Sequence, residues 1–135
     1  MKRYWQIYMH LVWSTRNRSH TIRGPVEKII HETIRTAARD LDLVPICINS
    51  AWNHTHNLIS WNPSLSMDVV VHQLKQSVLD VIHENSTTCD GNGYPEILWD
   101  DGYAAFSVSP GAVDRVKNYI VHQKELHRTG KTIKY

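Results

Sequence analysis

Residues 4–14 alternate between two kinds of side chain. Every second residue is apolar, and these residues are Trp5, Ile7, Met9, Leu11 and Trp13. The residues between them form a semi-polar set, namely Tyr4, Gln6, Tyr8, His10 and Val12. A period of two is typical of a β-strand with one face on a core. We therefore predict a strand over residues 4–14 whose semi-polar face can line a site.

Three later segments repeat apolar residues every three or four positions, as the buried side of a helix does. The first begins at Gly24-Pro25, because proline is tolerated in the first turn of a helix. Its predicted buried stripe is Val26, Ile29, Ile30, Thr33, Ala37 and Leu41. The second follows Ser66, a good N-cap residue, and runs to about His83 with the stripe Val70, Val71, Leu74, Val78 and Ile82. The third follows Ser109-Pro110 with the stripe Val113, Val116 and Ile120.

The remaining segments complete an element order of β-α-β-β-α-β-α. Residues 43–50 and 54–61 are predicted strands, residues 85–102 are rich in turn signals, and residues 103–108 form a last short strand. The first six elements match the split βαβ pattern of ferredoxin-like folds. We predict an α+β fold, an antiparallel sheet with two helices on one face. The C-terminal helix is then an addition that must dock somewhere, and a helix that crosses the open face of the sheet can meet a central strand. Residues 1–135 form a single domain.

Composition narrows the functional classes only slightly. The net charge of +2 at pH 7 is mildly basic and does not by itself indicate a nucleic-acid partner. No apolar run is long enough to cross a membrane, the first residues lack the apolar core of a signal peptide, and two cysteines are too few for a disulfide framework. We therefore expect a cytoplasmic protein with no membrane partner. Two basic clusters could contact phosphates or be solvated surface charge: Arg16, Arg18 and Arg23, and Lys124, Arg128, Lys131 and Lys134.

The tripeptide His54-Thr55-His56 is the strongest candidate for chemistry. In a strand, two histidines separated by one residue point to the same face, and each can offer a neutral nitrogen to one metal ion. Tyr119 and Gln123 lie four residues apart, which places them on one face of a helix. Two imidazoles and an amide oxygen leave positions for water and phosphate oxygens, which suits Mg²⁺ or Mn²⁺. With a tyrosine hydroxyl nearby, such a site could support nucleophilic attack on a phosphodiester.

These residues lie in segments that resemble a known family. The chain is similar to the small single-tyrosine transposases of the insertion-sequence 200/605 group, which are HUH (His-hydrophobic-His) endonucleases. The resemblance extends over nearly the whole chain and is carried by residues 7–18, 54–59, 74–77, 98–109 and 116–123. Thr55 stands where the family usually has a bulky aliphatic residue, and Ala51-Trp52-Asn53 replaces its usual Met-Pro-Asp turn. Because Thr55 faces away from the histidines, we expect their geometry to be kept.

The resemblance implies a function for individual residues. Tyr119 would be the nucleophile, and His54, His56 and Gln123 would bind Mg²⁺ or Mn²⁺. The protein would cleave and rejoin single-stranded DNA at hairpins of transposon ends, through a 5′-phosphotyrosine intermediate, in a prokaryotic cell and associated with the nucleoid. We expect the following basic residues to contact the DNA: Arg16, Arg18, Lys75 and Lys117.

The resemblance also implies a homodimer in which the tyrosine helix often serves the partner subunit's metal site. Exposed edge strands of a ferredoxin-like sheet invite pairing with a second copy. The strand over residues 4–14 could extend across such an interface. Whether the helix serves its own chain or the partner is left open by the sequence.

Three alternatives compete with this interpretation. A hairpin DNA- or RNA-binding protein without cleavage would rely on base stacking at Trp13, Trp52, Trp61 or Tyr103. A phosphoesterase with two His-x-Thr motifs would use His31-Glu32-Thr33 and His127-Arg128-Thr129, but both fall in predicted helices, where positions i and i+2 do not share a face. A histidine-triad hydrolase would need a histidine at position 58, which is Leu58.

Overall fold

The computed structural model describes residues 1–86 and 96–124. The helices and strands follow the predicted order: β1 Tyr8–Ser14, α1 Pro25–Asp40, β2 Val44–Ser50, β3 His54–Ser60, α2 Met67–Ser86, β4 Ala104–Val108 and α3 Val113–Val121. Short 3₁₀ turns at Arg16–Arg18 and Pro110–Ala112 follow β1 and precede α3. Part of the turn-rich connection, the basic residues Arg128, Lys131 and Lys134, and the motif His127-Arg128-Thr129 lie outside the described residues.

The four strands form one sheet in the order β2-β3-β1-β4, with every neighbouring pair antiparallel. This is the predicted ferredoxin-like arrangement. Strand β1 begins at Tyr8, four residues later than predicted, and lies inside the sheet, with Tyr8 opposite both Ser60 and Val108. The prediction that this strand extends across a dimer interface is therefore wrong for residues 8–14, because both of its sides are already paired.

Helices α1 and α2 pack on one face of the sheet, which carries the larger apolar core. The alternating residues Leu11 and Trp13 of β1 point into this core, as predicted. The stripe of α2 is confirmed in full, whereas the stripe of α1 repeats every four residues as Val26, Ile30, Ile34 and Ala38. Thr33 and Ala37, assigned to that stripe from the sequence, are only half-buried.

Helix α3 packs across the opposite face of the sheet, over β2 and β3. A smaller apolar cluster holds it there, built from Cys47, Leu58, Val108 and Ile120. Val113, Val116 and Tyr119 pack against this cluster while remaining partly exposed. The C-terminal helix thus occupies the face that the other two helices leave open, and the semi-polar side of β1 lies on that same face.

The unusual residue Thr55 is accommodated on the side of the sheet that faces α1 and α2. It pairs with Trp13 in the register of β1 and β3 and is fully buried. Its hydroxyl accepts a hydrogen bond of 3.0 Å from Asn57 Nδ2, which also donates to the Leu11 carbonyl. A buried hydroxyl needs such a partner. The expectation that Thr55 faces away from the two histidines is confirmed.

Candidate active site

The two histidines of β3 lie side by side on the sheet face beneath α3. The ring centroids of His54 and His56 are 4.9 Å apart. His54 is half-buried and His56 is fully buried. Nδ1 of His54 lies 2.7 Å from the side-chain oxygen of Asn53. Because an amide oxygen can only accept, this nitrogen donates, which fixes the tautomer and the orientation of the His54 ring.

A third histidine, which the sequence analysis did not assign to the site, joins this pair. His10 of β1 is buried, and its Nε2 lies 3.0 Å from Nδ1 of His56, with the two rings stacked 5.2 Å apart. Desolvation by burial lowers the pKa of His10 to about 4, so the ring is neutral near pH 7. One of the two nitrogens must then donate and the other accept, which orients the His56 ring. The only sequence signal for His10 was its place on the semi-polar face of β1.

Tyr119 reaches these histidines from α3. Its ring centroid lies 5.9 Å from that of His56 and 6.5 Å from that of His10. The Tyr119 ring plane is nearly perpendicular to the His56 ring plane. All three residues belong to the same chain. The structure therefore brings the tyrosine to His56 of the histidine pair and to His10, as expected for a helix that crosses the open face of the sheet.

Gln123 follows α3 by two residues and is fully buried. Its Nε2 donates to the backbone carbonyl of Tyr119 at 3.3 Å, which keeps the spacing of one helical turn between the two residues. Its Oε1 is buried and has no hydrogen-bond partner within the part of the chain that the structure describes. An unsatisfied buried oxygen is destabilising by about 1–3 kcal/mol, a penalty that a cation ligand would relieve.

Metal binding on this face depends on the ligand atoms that its side chains offer. Among residues 1–86 and 96–124, no group of three or more His, Cys, Asp or Glu side chains is arranged to hold a metal. A cation here would consequently depend on an amide oxygen beside the imidazoles. Gln123 can offer such an oxygen, because its Oε1 is buried and unsatisfied within the described residues, and an oxygen ligand suits Mg²⁺ and Mn²⁺.

The end of α3 is anchored to the sheet by Asn49 of β2. Its Nδ2 donates to the carbonyl oxygens of Ile120 at 2.7 Å and of Val121 at 3.3 Å. The last carbonyls of a helix have no partner within the helix, so this side chain satisfies groups that would otherwise be unpaired. Because Ile120 and Val121 lie between Tyr119 and Gln123, Asn49 fixes the end of the helix that connects the two candidate site residues.

Three of the four predicted DNA contacts lie at the surface. Arg16 and Arg18 are exposed in the turn after β1, at the end of the sheet where Ser14 pairs with His54. Lys117 is exposed on α3. Lys75 differs, because its ammonium group donates to the backbone carbonyls of Asp100 and Gly102, both at 2.8 Å. Its burial lowers the pKa, an effect that the two neighbouring aspartates oppose.

The four aromatic residues considered for base stacking are placed very differently. Trp13 and Trp61 are buried in the core and present no open ring face. Tyr103 donates its hydroxyl to the Asp68 carboxylate, and this hydrogen bond raises the pKa of Tyr103. Trp52 is 60% exposed, in the turn between β2 and β3. Of the four, Trp52 is thus the side chain most open to a ligand.

Comparisons with known proteins agree with this architecture. The family model described as IS200-like transposase matches residues 3–123. A solved structure from Deinococcus radiodurans R1, described as a candidate transposase, superimposes with a TM-score of 0.68 at 19% identity, covering 91% of this chain and 95% of that one. A REP-associated tyrosine transposase bound to a REP hairpin gives a TM-score of 0.63 at 12% identity, covering 98% of this chain and 74% of that one. At these identities the two structures show the shared fold. No curated protein matches the chain significantly.

The anchoring role of Asn49 can be tested by Asn49→Ala. Loss of its two hydrogen bonds should lower the free energy of unfolding by about 1–2 kcal/mol and speed amide hydrogen exchange in α3 more than in α1. Hydrogen exchange followed by mass spectrometry, with chemical denaturation, measures both effects. The control is Asn118→Ala, an exposed position on the same helix, which should change α3 exchange little. Unchanged exchange of α3 in Asn49→Ala would show that the helix is held by its apolar contacts alone.

Proposed function

The chain belongs to the IS200-like transposase family, and we propose that it cleaves and rejoins single-stranded DNA at the hairpin-bearing ends of a mobile element. The observation that carries this proposal is the position of Tyr119, whose ring lies 5.9 Å from His56 and 6.5 Å from His10. A hydroxyl nucleophile beside candidate metal ligands is the arrangement that phosphodiester cleavage by covalent catalysis requires.

In the proposed reaction the hydroxyl oxygen of Tyr119 attacks the scissile phosphorus. The new Oη–P bond forms while the bond from phosphorus to the 3′ oxygen breaks. The phenolic proton passes to water, the released 3′ oxygen takes up a proton, and the DNA 5′ end stays on the tyrosine. Attack by the 3′-OH of another strand reverses these steps and frees the phenol. The phosphodiester bond energy is conserved in the phosphotyrosine, so rejoining needs no further energy source.

His54, His56 and Gln123 are the residues proposed to hold Mg²⁺ or Mn²⁺. When bound, the ion would neutralise charge on the scissile phosphate and align it for in-line attack. The protein's part is to orient the ligands: Asn53 and His10 engage Nδ1 of the two rings, and partners of this kind commonly affect metal affinity by about 10- to 100-fold. The buried Oε1 of Gln123 supports its inclusion in this set.

Single-stranded DNA with hairpins is the proposed partner. The similarity to a transposase solved with a REP hairpin supports this choice, as do the exposed Arg16, Arg18 and Lys117. Lys75 remains a proposed contact, although its ammonium group already holds the segment before β4. We propose the cytoplasm of a prokaryotic cell, close to its DNA, as the place of action. No helix in the described parts of the chain has the length and apolar character needed to cross a membrane.

We further propose that the protein acts as a homodimer. Strands β2 and β4 form the two edges of the sheet, and such edges offer unpaired backbone groups to a second copy. Tyr119 lies against His56 of its own chain, which supports a site made within each protomer.

Tyr119→Phe tests the nucleophile. It should abolish cleavage of hairpin DNA and covalent adduct formation while leaving affinity roughly unchanged, because the attacking oxygen is lost and the ring is kept. Denaturing gels with oligonucleotides taken from the DNA flanking the gene measure both products. The control is Tyr103→Phe, whose hydroxyl bonds Asp68; it should cleave normally. Adducts at wild-type level in Tyr119→Phe would assign another nucleophile. A wild-type protein that binds hairpins but never cleaves them with Mg²⁺ or Mn²⁺ would instead be a binding protein.

Removal of the ligands tests the metal site separately from catalysis. His54→Ala and His56→Ala should each lose high-affinity Mn²⁺ binding, measured by electron paramagnetic resonance, together with cleavage. Gln123→Ala should lose less, because water can replace one neutral oxygen ligand. His72→Ala, an exposed position on α2, is the control, and circular dichroism checks the fold of each variant. Wild-type Mn²⁺ affinity in His56→Ala would mean that the histidine pair is structural.

Mixing two inactive proteins tests where the site is assembled. If each protomer contains its own site, Tyr119→Phe mixed with His56→Ala leaves neither chain intact, so cleavage should not return. Sedimentation at micromolar concentration should show a dimer. Restored cleavage would place the tyrosine in the partner's site, and a monomer active on hairpin DNA would contradict the proposed dimer.

A further inference from the structure

Trp52 is a large aromatic side chain left exposed beside the candidate active site. It is 60% exposed and precedes His54 by two residues. Three other tryptophans, Trp13, Trp61 and Trp99, are buried. Two residues span at most about 7 Å of backbone, so the backbone of Trp52 lies close to that of His54.

The turn that carries Trp52 is held rigidly by backbone hydrogen bonds to the segment after β1. Ile22 donates to the Trp52 carbonyl at 2.9 Å, and Thr15 donates to the Asn53 carbonyl at 2.8 Å. The turn is closed by a bond of 3.0 Å from the amide of Ala51 to the His54 carbonyl. Because the backbone is fixed before any ligand arrives, binding at the indole would lose little conformational freedom.

The segment that holds the turn of Trp52 carries several cationic side chains. The segment over residues 15–23 contains Arg16, Arg18 and Arg23, all exposed, and no acidic residue. The ring of His20 lies 5.3 Å from the Trp52 ring and is tilted by 47°, which makes the aromatic surface larger. Glu96 is a nearby carboxylate, since it lines with Arg16 a small cavity of about 100 Å³ beside this turn. Asp100 and Asp101 are also close, because the Asp100 amide donates to the Ser14 carbonyl. The exposed guanidinium groups of residues 15–23 are the groups of this segment that can bind an anion.

We infer that Trp52, extended by His20, stacks on an unpaired base of the DNA close to the scissile phosphate, while Arg16 and Arg18 contact neighbouring phosphates. Aromatic rings beside cationic side chains are the common features of single-strand binding, because every base offers a face for stacking. A duplex keeps both faces of its bases covered, so the occupant is a nucleotide in single-stranded DNA. The inference rests on the proposed function, which places the cleaved phosphate at His54 and Tyr119.

Binding measurements in the full-length Tyr119→Phe protein test this inference without cleavage. The probes are one hairpin oligonucleotide with a single-stranded flank and a set of copies, each with one abasic position near the cleavage site. Stacking on one base contributes about 1–3 kcal/mol, so Trp52→Ala should weaken binding of the intact probe roughly 5- to 150-fold. Trp52→Phe keeps a ring and should recover most of the affinity. Trp5→Ala, which removes a tryptophan that is 41% exposed, is the matched control and should bind normally.

The abasic set identifies the stacked nucleotide. At one position, loss of the base and Trp52→Ala should not add, because each removes the same contact. Additive losses at every position would overturn the inference, as would equal affinities of Trp52→Ala and Trp5→Ala. Failure of the Tyr119→Phe protein itself to bind the hairpin probe would instead reject the proposed function. Thermal unfolding of each variant shows whether the protein is still folded. Trp52→Phe, which keeps an aromatic ring, shows whether affinity returns with the stacking contact.

Discussion

The register between β1 and β3 is the constraint on which the candidate site depends. Val12 lies opposite His56 and Ser14 opposite His54, so the diagonal neighbour His10 comes within 3.0 Å of the His56 ring. A slip of one residue would exchange the two faces of a strand. A slip of β3 would move His54 and His56 into the apolar core beneath α1 and α2, and a slip of β1 would move Trp13 out of that core. The burial of Leu11, Trp13 and Ile59 on one face therefore holds the imidazoles on the other.

Helix α3 covers the histidine face of the sheet and brings Tyr119 to it. This packing also buries polar groups, which is unfavourable unless each finds a partner. His10, His56 and Gln123 are all buried under or beside the helix, where each polar atom needs a partner. The imidazoles engage each other, Asn49 satisfies the carbonyls at the helix end, and Gln123 donates to Tyr119. The oxygen of Gln123 is buried without a hydrogen-bond partner within the described residues, as are Trp13 Nε1 and Asn57 Oδ1 on the core side of the sheet. Because Gln123 lies just after α3, the packing of this helix supplies one possible oxygen ligand for the proposed metal site.

The two departures from the family pattern, Thr55 and the turn Ala51-Trp52-Asn53, lie in different structural environments. Thr55 replaces an aliphatic residue on the core side of β3, where its hydroxyl bonds Asn57 and leaves the histidine side unchanged. The turn Ala51-Trp52-Asn53 carries a second departure, and here the change is visible at the surface. Asn53 orients His54, while Trp52 presents an exposed ring. One departure is absorbed by the core, and the other leaves an aromatic ring exposed at the surface.

The sequence by itself determined the element order, the two faces of β1, the shared side of His54 and His56, and the spacing of Tyr119 and Gln123. These features follow from the periodicity of strands and helices, which depends only on residues close together in the chain. The tertiary structure alone decided the pairing of His10 with His56, the anchoring of α3 by Asn49, the rotation of the α1 stripe and the exposure of Trp52. The first two join residues 46 and 71 positions apart. Such contacts depend on register and helix docking, which arise from the fit of whole surfaces and leave no local pattern in the sequence.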